Sequence, residues 1–188
     1  MADIKSSMQH MMDCVKDASL DQFQIFTKVQ DAEMGETSIE NLAYSQQMTH
    51  ILITATDIEV NFKTHFMLKD AGQFVASKLG ADPKTERQCV DFMKEYCNVV
   101  AGKVKAMLEK ADVMAGQSLP FAIQGYNEMF YPKASEDKLH GAWKISCKLG
   151  EIVCSTTIEI RSEDILPNIN NVKYAEGSGS ESGDIELF

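Results

Sequence analysis

Residues 84–110 constrain the fold more than any other stretch of this 188-residue chain. On a wheel at 100° per residue, Cys89, Met93, Tyr96, Val100, Val104 and Met107 fall on one stripe. A helix with such a stripe holds in water only when the stripe is covered. The spacing therefore predicts a long helix over residues 84–110, packed on a sheet. Asp82 can cap its start and Pro83 suits its first turn. On the opposite side Glu95, Asn98 and Gly102 lie within about 60° of one another. A mid-helix Asn is a poor helix former, and Gly costs about 1 kcal/mol relative to Ala. Val99 also turns toward this outer side, and Ala106 adds a small side chain. These residues suit close approach by a partner. A plain solvated helix face is the alternative they leave open.

The flanking segments define what the helix packs on. Residues 49–56 are rich in β-branched side chains, and residues 58–66 alternate apolar with polar. They read as two strands around the Thr56-Asp57 corner. Residues 69–79 read as a helix closed by Gly80. Residues 143–148 and 152–160 alternate around Leu149-Gly150 and read as a hairpin. Ile4, Met8, Met11, Met12 and Val15 recur at helical spacing, a Met-rich stripe for core or dimer packing. Residues 23–29, aromatic and polar in turn, are expected as a strand, and a weak segment with Gly35 and Asn41 follows. The fold class expected is α+β, an antiparallel sheet packed against two or three helices including the long one. One domain, 1–166, is expected, followed by a flexible acidic tail, 167–188, with Gly/Ser linker composition at 177–183.

Charge and composition exclude several functions. Lys plus Arg number 18 against 28 Asp plus Glu, a formal net charge of -10. That balance argues against nucleic acid and against broad adhesion to anionic membrane. No apolar run is long enough to span a bilayer, and the N-terminus lacks the basic-then-apolar pattern of a secretory signal. Cysteines stand at 14, 89, 97, 147 and 154, without a CxxC pair. Reduced thiols in a cytosolic protein are expected, and Cys97 is read as a buried structural thiol rather than a reactive one. Histidines 10, 50, 65 and 140 show no metal-site spacing, so no metal is expected. There is no serine nucleophile elbow and no phosphate loop. Trp143 reads as core or dimer interface. Residues 183–188 end in Ile185, Leu187 and Phe188 among acids, either a tethered docking peptide or a solubilising end.

Glu95-Tyr96-Cys97-Asn98-Val99-Val100-Ala101-Gly102 resembles the Glu-x-x-Asn-x-x-x-Gly helix signature of the CheC/CheX chemotaxis phosphatases. Residues 62–79 resemble the family's strand and following helix, Ser118-Leu119-Pro120 its strand after the long helix, and residues 143–160 its final strands. The resemblance covers roughly residues 45–161. Residues 5–18 carry no Glu-x-x-Asn, so the chain resembles the one-motif, CheX-like type, which implies a homodimer. It departs from the family at the motif's variable positions, Tyr96-Cys97 and Val99-Val100, and in its acidic tail.

The resemblance implies hydrolysis of the aspartyl phosphate of a CheY-like response regulator, in chemotaxis or other two-component signalling. Asn98 would orient the attacking water, and Glu95 would pair with the regulator's lysine. Gly102 would let the backbones approach, with Val99, Lys94 and Lys105 as further contacts. No cofactor of its own is implied, and Mg2+ would belong to the regulator. An acyl phosphate is labile, so positioning a water suffices, and a carboxamide can do so without changing charge. A non-catalytic regulator-binding or assembly module is the second reading. Residues 84–110 hold six basic and four acidic side chains. The helix is therefore locally positive, which favours encounter with a phosphorylated protein.

Overall fold

The computed structural model describes residues 3–37, 47–124 and 137–174. In chain order these form α1 (Ile4–Thr27), β1 (Glu33–Glu36), β2 (Gln47–Thr54), β3 (Ile58–Phe66), α2 (Leu68–Leu79) and α3 (Glu86–Lys110). β4 (Gly116–Gln117), β5 (Phe121–Gln124), β6 (Lys138–Cys147), β7 (Gly150–Ile160), a 3-10 turn (Glu163–Ile165) and α4 (Leu166–Asn170) follow. The strands make one antiparallel sheet in the order β1-β6-β7-β3-β2-β4. β5 shares the outer edge of β2 with β4: β4 pairs with Ile53 and Thr54, β5 with residues 47–50. This is the α+β architecture expected from the sequence. Among the described residues no helix is long and apolar enough to cross a membrane.

Alternation sets the sheet's buried face. Ile51, Ile53, Val60, Phe62, Ile152, Cys154 and Ile158 are all buried, as period-two burial beneath packed helices requires. The corner after β2 falls at residues 55–57, where the sequence places it. α2 ends on Gly80 in the left-handed region, φ 73°. β6 begins at Lys138, five residues ahead of the expected Trp143.

The strand expected at residues 23–29 is instead the last turns of α1, which runs to Thr27 and closes on Lys28 at φ 59°. The reason is burial at helical spacing: Phe23 and Phe26 continue the Met8–Val15 stripe into the core. Phe23 stacks edge-on against Phe74 and Tyr96, and Phe26 lies on Phe92. The Met-rich stripe is therefore core, as is Trp143. Gly141 on β6 leaves room for the thioether end of Met12 on α1, since a Cβ there would lie 2.6 Å from Met12 Sδ.

α3 starts later than expected. Thr85, not Asp82, caps it, its Oγ1 accepting from Gln88 N at 3.3 Å. Gln88 Oε1 returns a bond by accepting from Lys84 N at 2.6 Å. This reciprocal pair is a variant of the capping box and outcompetes the Asp-Pro signal. The weak segment with Gly35 contains β1, paired to β6, while Asn41 lies outside the described residues.

After the 3-10 turn the chain still packs. Ile169 and Val172 are fully buried, and His10 Nε2 bonds Val172 O at 2.8 Å. Residues 167–172, expected within the tail, thus contribute to the core. The 177–183 linker and the 183–188 peptide lie outside the described residues.

Candidate functional site

The rotation of α3 decides which residues face outward, and two buried neighbours inside the motif set it. Tyr96 Oη donates to Ser19 O on α1 at 2.8 Å. Trp143 Nε1 donates to Ser19 Oγ at 2.9 Å, so one serine ties α3 and β6 to the same turn of α1. Cys97 turns to the sheet, its Sγ 3.0 Å from Thr49 Oγ1 and 3.6 Å from Thr64 Oγ1. The apolar stripe thus covers both α1 and the sheet. Burial pushes the Cys97 thiol up to about 11, against the lowering effect of the two threonine hydroxyls. A thiol held protonated and enclosed is a packing group.

With Tyr96 and Cys97 turned inward, Glu95 and Asn98 emerge together, both half-buried. Asn98 Nδ2 lies 3.5 and 3.4 Å from the two Glu95 carboxylate oxygens, a loose contact along one turn. Asn98 Oδ1 accepts a shorter bond, 2.9 Å, from Gln117 Nε2 on β4. Gly102 continues the same side, and nothing lies within 4 Å of a Cβ built there. Among the described residues no contact demands glycine at that position.

The other expected site residues divide. Lys94 is half-exposed and paired to Asp91 at 3.2 Å, and Lys105 is paired to Glu109 at 3.6 Å. Val99 is partly buried and packs against the core rather than standing out as an exposed side chain. Lys103 is buried, its ammonium 5.3 Å from the centre of the Tyr174 ring. The charge excess of the helix is therefore not all on the outer side. After α3, residues 114–121 expose Met114, Leu119 (88%) and Phe121, an apolar border to the polar centre.

Gln117 is the site residue the sequence reading missed. It directly precedes Ser118-Leu119-Pro120, so the signal was position: the segment returning to the sheet edge passes the outer side of α3.

The site lies on one side of α3, with Glu95, Asn98 and Gly102 all partly buried. A cavity of about 510 Å3 lined by Lys28, Asp31, Gln73, Ser77 and Lys148 shares no residue with it. Among the described residues no group of three or more His, Cys, Asp or Glu is placed to hold a metal ion.

No family model and no curated protein matches the sequence. Solved structures do match in shape. A chemotactic CheC-like protein from Shewanella oneidensis is 16% identical with a TM-score of 0.66, covering 80% of this chain and 98% of that one. The chemotaxis protein CheX from Desulfovibrio desulfuricans is 18% identical with a TM-score of 0.63, over 79% and 99%. The fold is that of CheC-like and CheX chemotaxis proteins. The CheX-CheY-BeF3-Mg+2 complex from Borrelia burgdorferi also matches, at 14% identity and a TM-score of 0.59, over 80% and 97%. The CheX-like fold foreseen from residues 95–102 and their surroundings is borne out, and nearly the whole of each of these chains is matched.

Proposed function

We propose that this protein is an aspartyl-phosphate phosphatase acting on a CheY-like response regulator. The observation that carries the reading is the outward pair Glu95 and Asn98, one turn apart on α3, with the Asn98 amide held at 2.9 Å from Gln117. The CheX-like fold supports a regulator as partner, since one protein of that fold forms a complex with CheY.

The chemistry asks little of the enzyme. Water attacks phosphorus, its oxygen forming the new P–O bond. The bond from phosphorus to the aspartyl oxygen breaks, and the aspartate leaves as carboxylate. The water's protons end on phosphate and solvent. Asn98 aligns that water for in-line attack, its amide both donating and accepting. Glu95 binds the regulator's lysine and sets the register of docking, and Mg2+ is supplied by the regulator. Gly102 gives the partner's backbone room. Lys94, Lys105 and the rim around Leu119 contribute contacts. The active protein is a cytoplasmic homodimer in this reading. Exposed Phe121 and Ile123 on the outer edge of the sheet favour self-association.

The test separates binding from chemistry. Glu95→Gln should weaken binding to a beryllium-fluoride-activated regulator about tenfold or more, the cost of a charge-assisted contact. Asn98→Ala should bind nearly as well as wild type and lose most of the acceleration of phosphoryl loss. Saturable binding of wild type with no change in the regulator's decay would instead identify a non-catalytic docking module.

A further inference from the structure

The contacts among Glu95, Asn98 and Gln117 have a direction. An ionised carboxylate only accepts hydrogen bonds. Both contacts between Asn98 and Glu95, at 3.4 and 3.5 Å, must therefore be made by Nδ2. Oδ1 then faces β4, and Gln117 must present a donor, its Nε2 at 2.9 Å. Turning over the Asn98 amide would set its oxygen against the carboxylate. Turning over the Gln117 amide would set two oxygens face to face. In the free protein the carboxylate thus biases the sense of both amides, through contacts at the long end of the hydrogen-bond range.

Gln117 is itself anchored by main chain. Gln117 and Gly116 pair with Ile53 and Thr54 of β2. Ser118 N donates to Leu52 O at 2.8 Å, and Leu52 N donates to Ser118 Oγ at 3.1 Å. A donor fixed to the sheet reaches a side chain fixed to the helix.

We propose that Gln117 is a positioning residue for Asn98, acting by hydrogen-bond donation. This rests on reading Asn98 as the group that orients water. Nε2 of Gln117 takes one lone pair of Oδ1 and stops rotation of the amide. The second lone pair and one Nδ2 hydrogen stay open for the attacking water. When Glu95 turns to the partner's lysine, its loose hold on Nδ2 ends. Gln117 is then the contact that keeps the amide oriented during reaction.

The experiment is a donor series at position 117, with turnover measured against phosphorylated regulator from limiting to saturating concentration. Gln117→Met keeps similar length without a donor and should lower kcat roughly tenfold, with KM nearly unchanged. Gln117→Glu offers only acceptors and should lose at least as much. Gln117→Lys restores a donor and should recover kcat to within about threefold of wild type. The double variant Asn98→Ala/Gln117→Met should be no slower than Asn98→Ala alone. In the free protein, the side-chain amide NMR signals of Asn98 should shift in Gln117→Met and stay near wild type in Gln117→Lys. Equal losses in all three variants, or none in Gln117→Met, would overturn the proposal. Full activity in Asn98→Ala would sink the phosphatase reading and this one with it. Loss in Asn98→Ala with none in Gln117→Met would sink this one alone.

Discussion

Gly102 separates partner geometry from internal stability. Among the described residues a Cβ at this position meets nothing within 4 Å, so Gly102→Ala should stabilise α3 by roughly 0.5–1 kcal/mol through helix propensity. If the regulator's backbone approaches here, the same change should weaken regulator binding. A higher melting temperature with poorer binding supports that role, and unchanged binding removes it. At this scale much was legible in the sequence. Glu95, Asn98 and Gly102 emerge on one side because 3.6-residue periodicity carries them there once the apolar stripe is buried. Val99 and Lys103 were less legible, because their surroundings come from other elements. Val99 packs onto the core, and Lys103 reaches Tyr174, far away in sequence. Gln117 was legible only through its place just before Ser118-Leu119-Pro120, because its partner is a side chain on another element.

Among elements, α3 shows how local signals compete. Asp82-Pro83 reads as the helix start in the sequence, but Thr85 and Gln88 supply it in the fold because both halves of their capping exchange are made. Thr85→Ala should therefore cost about 1 kcal/mol of stability in denaturant unfolding, and Asp82→Ala much less. An equal effect of the two substitutions would contradict the assignment of the cap. The C-terminal end of α1 is the reverse case. Residues 23–29 have aromatic and β-branched content that suits a strand. Their helical state comes from Phe74, Phe92 and Tyr96, which cover Phe23 and Phe26. Tertiary contact overrode propensity there. The sheet was legible wherever alternation was strong, in β2, β3, β6 and β7. The short strands β1, β4 and β5 carry too few residues for a period to show.

For the whole molecule, burial of His65 makes stability depend on pH. Desolvation, with Lys63 adding to it, lowers its imidazole from 6.5 to about 4. Between those values the unfolded chain binds a proton that the folded chain does not, so stability rises with pH across this window. Acidification from pH 7 to below 5 should therefore cost about 2 kcal/mol through this residue. His50 and His140, also lowered mainly by burial, add in the same direction. Urea midpoints at pH 7 and pH 5 should differ clearly in wild type and less in His65→Gln. An unaltered difference would contradict the assignment.

The chain's charge takes on a more local meaning in three dimensions. At -10 overall, it presents Lys94 and Lys105 on the helix that carries the half-buried Asn98 carboxamide, each already paired with an acid on its own helix. Screened surface pairs of this kind steer encounter more than they hold a complex. Under the proposed function, affinity comes from the centre of the surface and its apolar border, and the rate of reaction from Asn98.

That division makes one measurement the most direct. A phosphorylated cognate regulator is followed through its loss of phosphate, alone and with substoichiometric protein, wild type or Asn98→Ala. Wild type should shorten the regulator's lifetime and turn over many times. Asn98→Ala should leave the lifetime close to that of the regulator alone, a loss on the order of 100-fold for misplacing the attacking group. Equal acceleration by the two proteins would contradict the account.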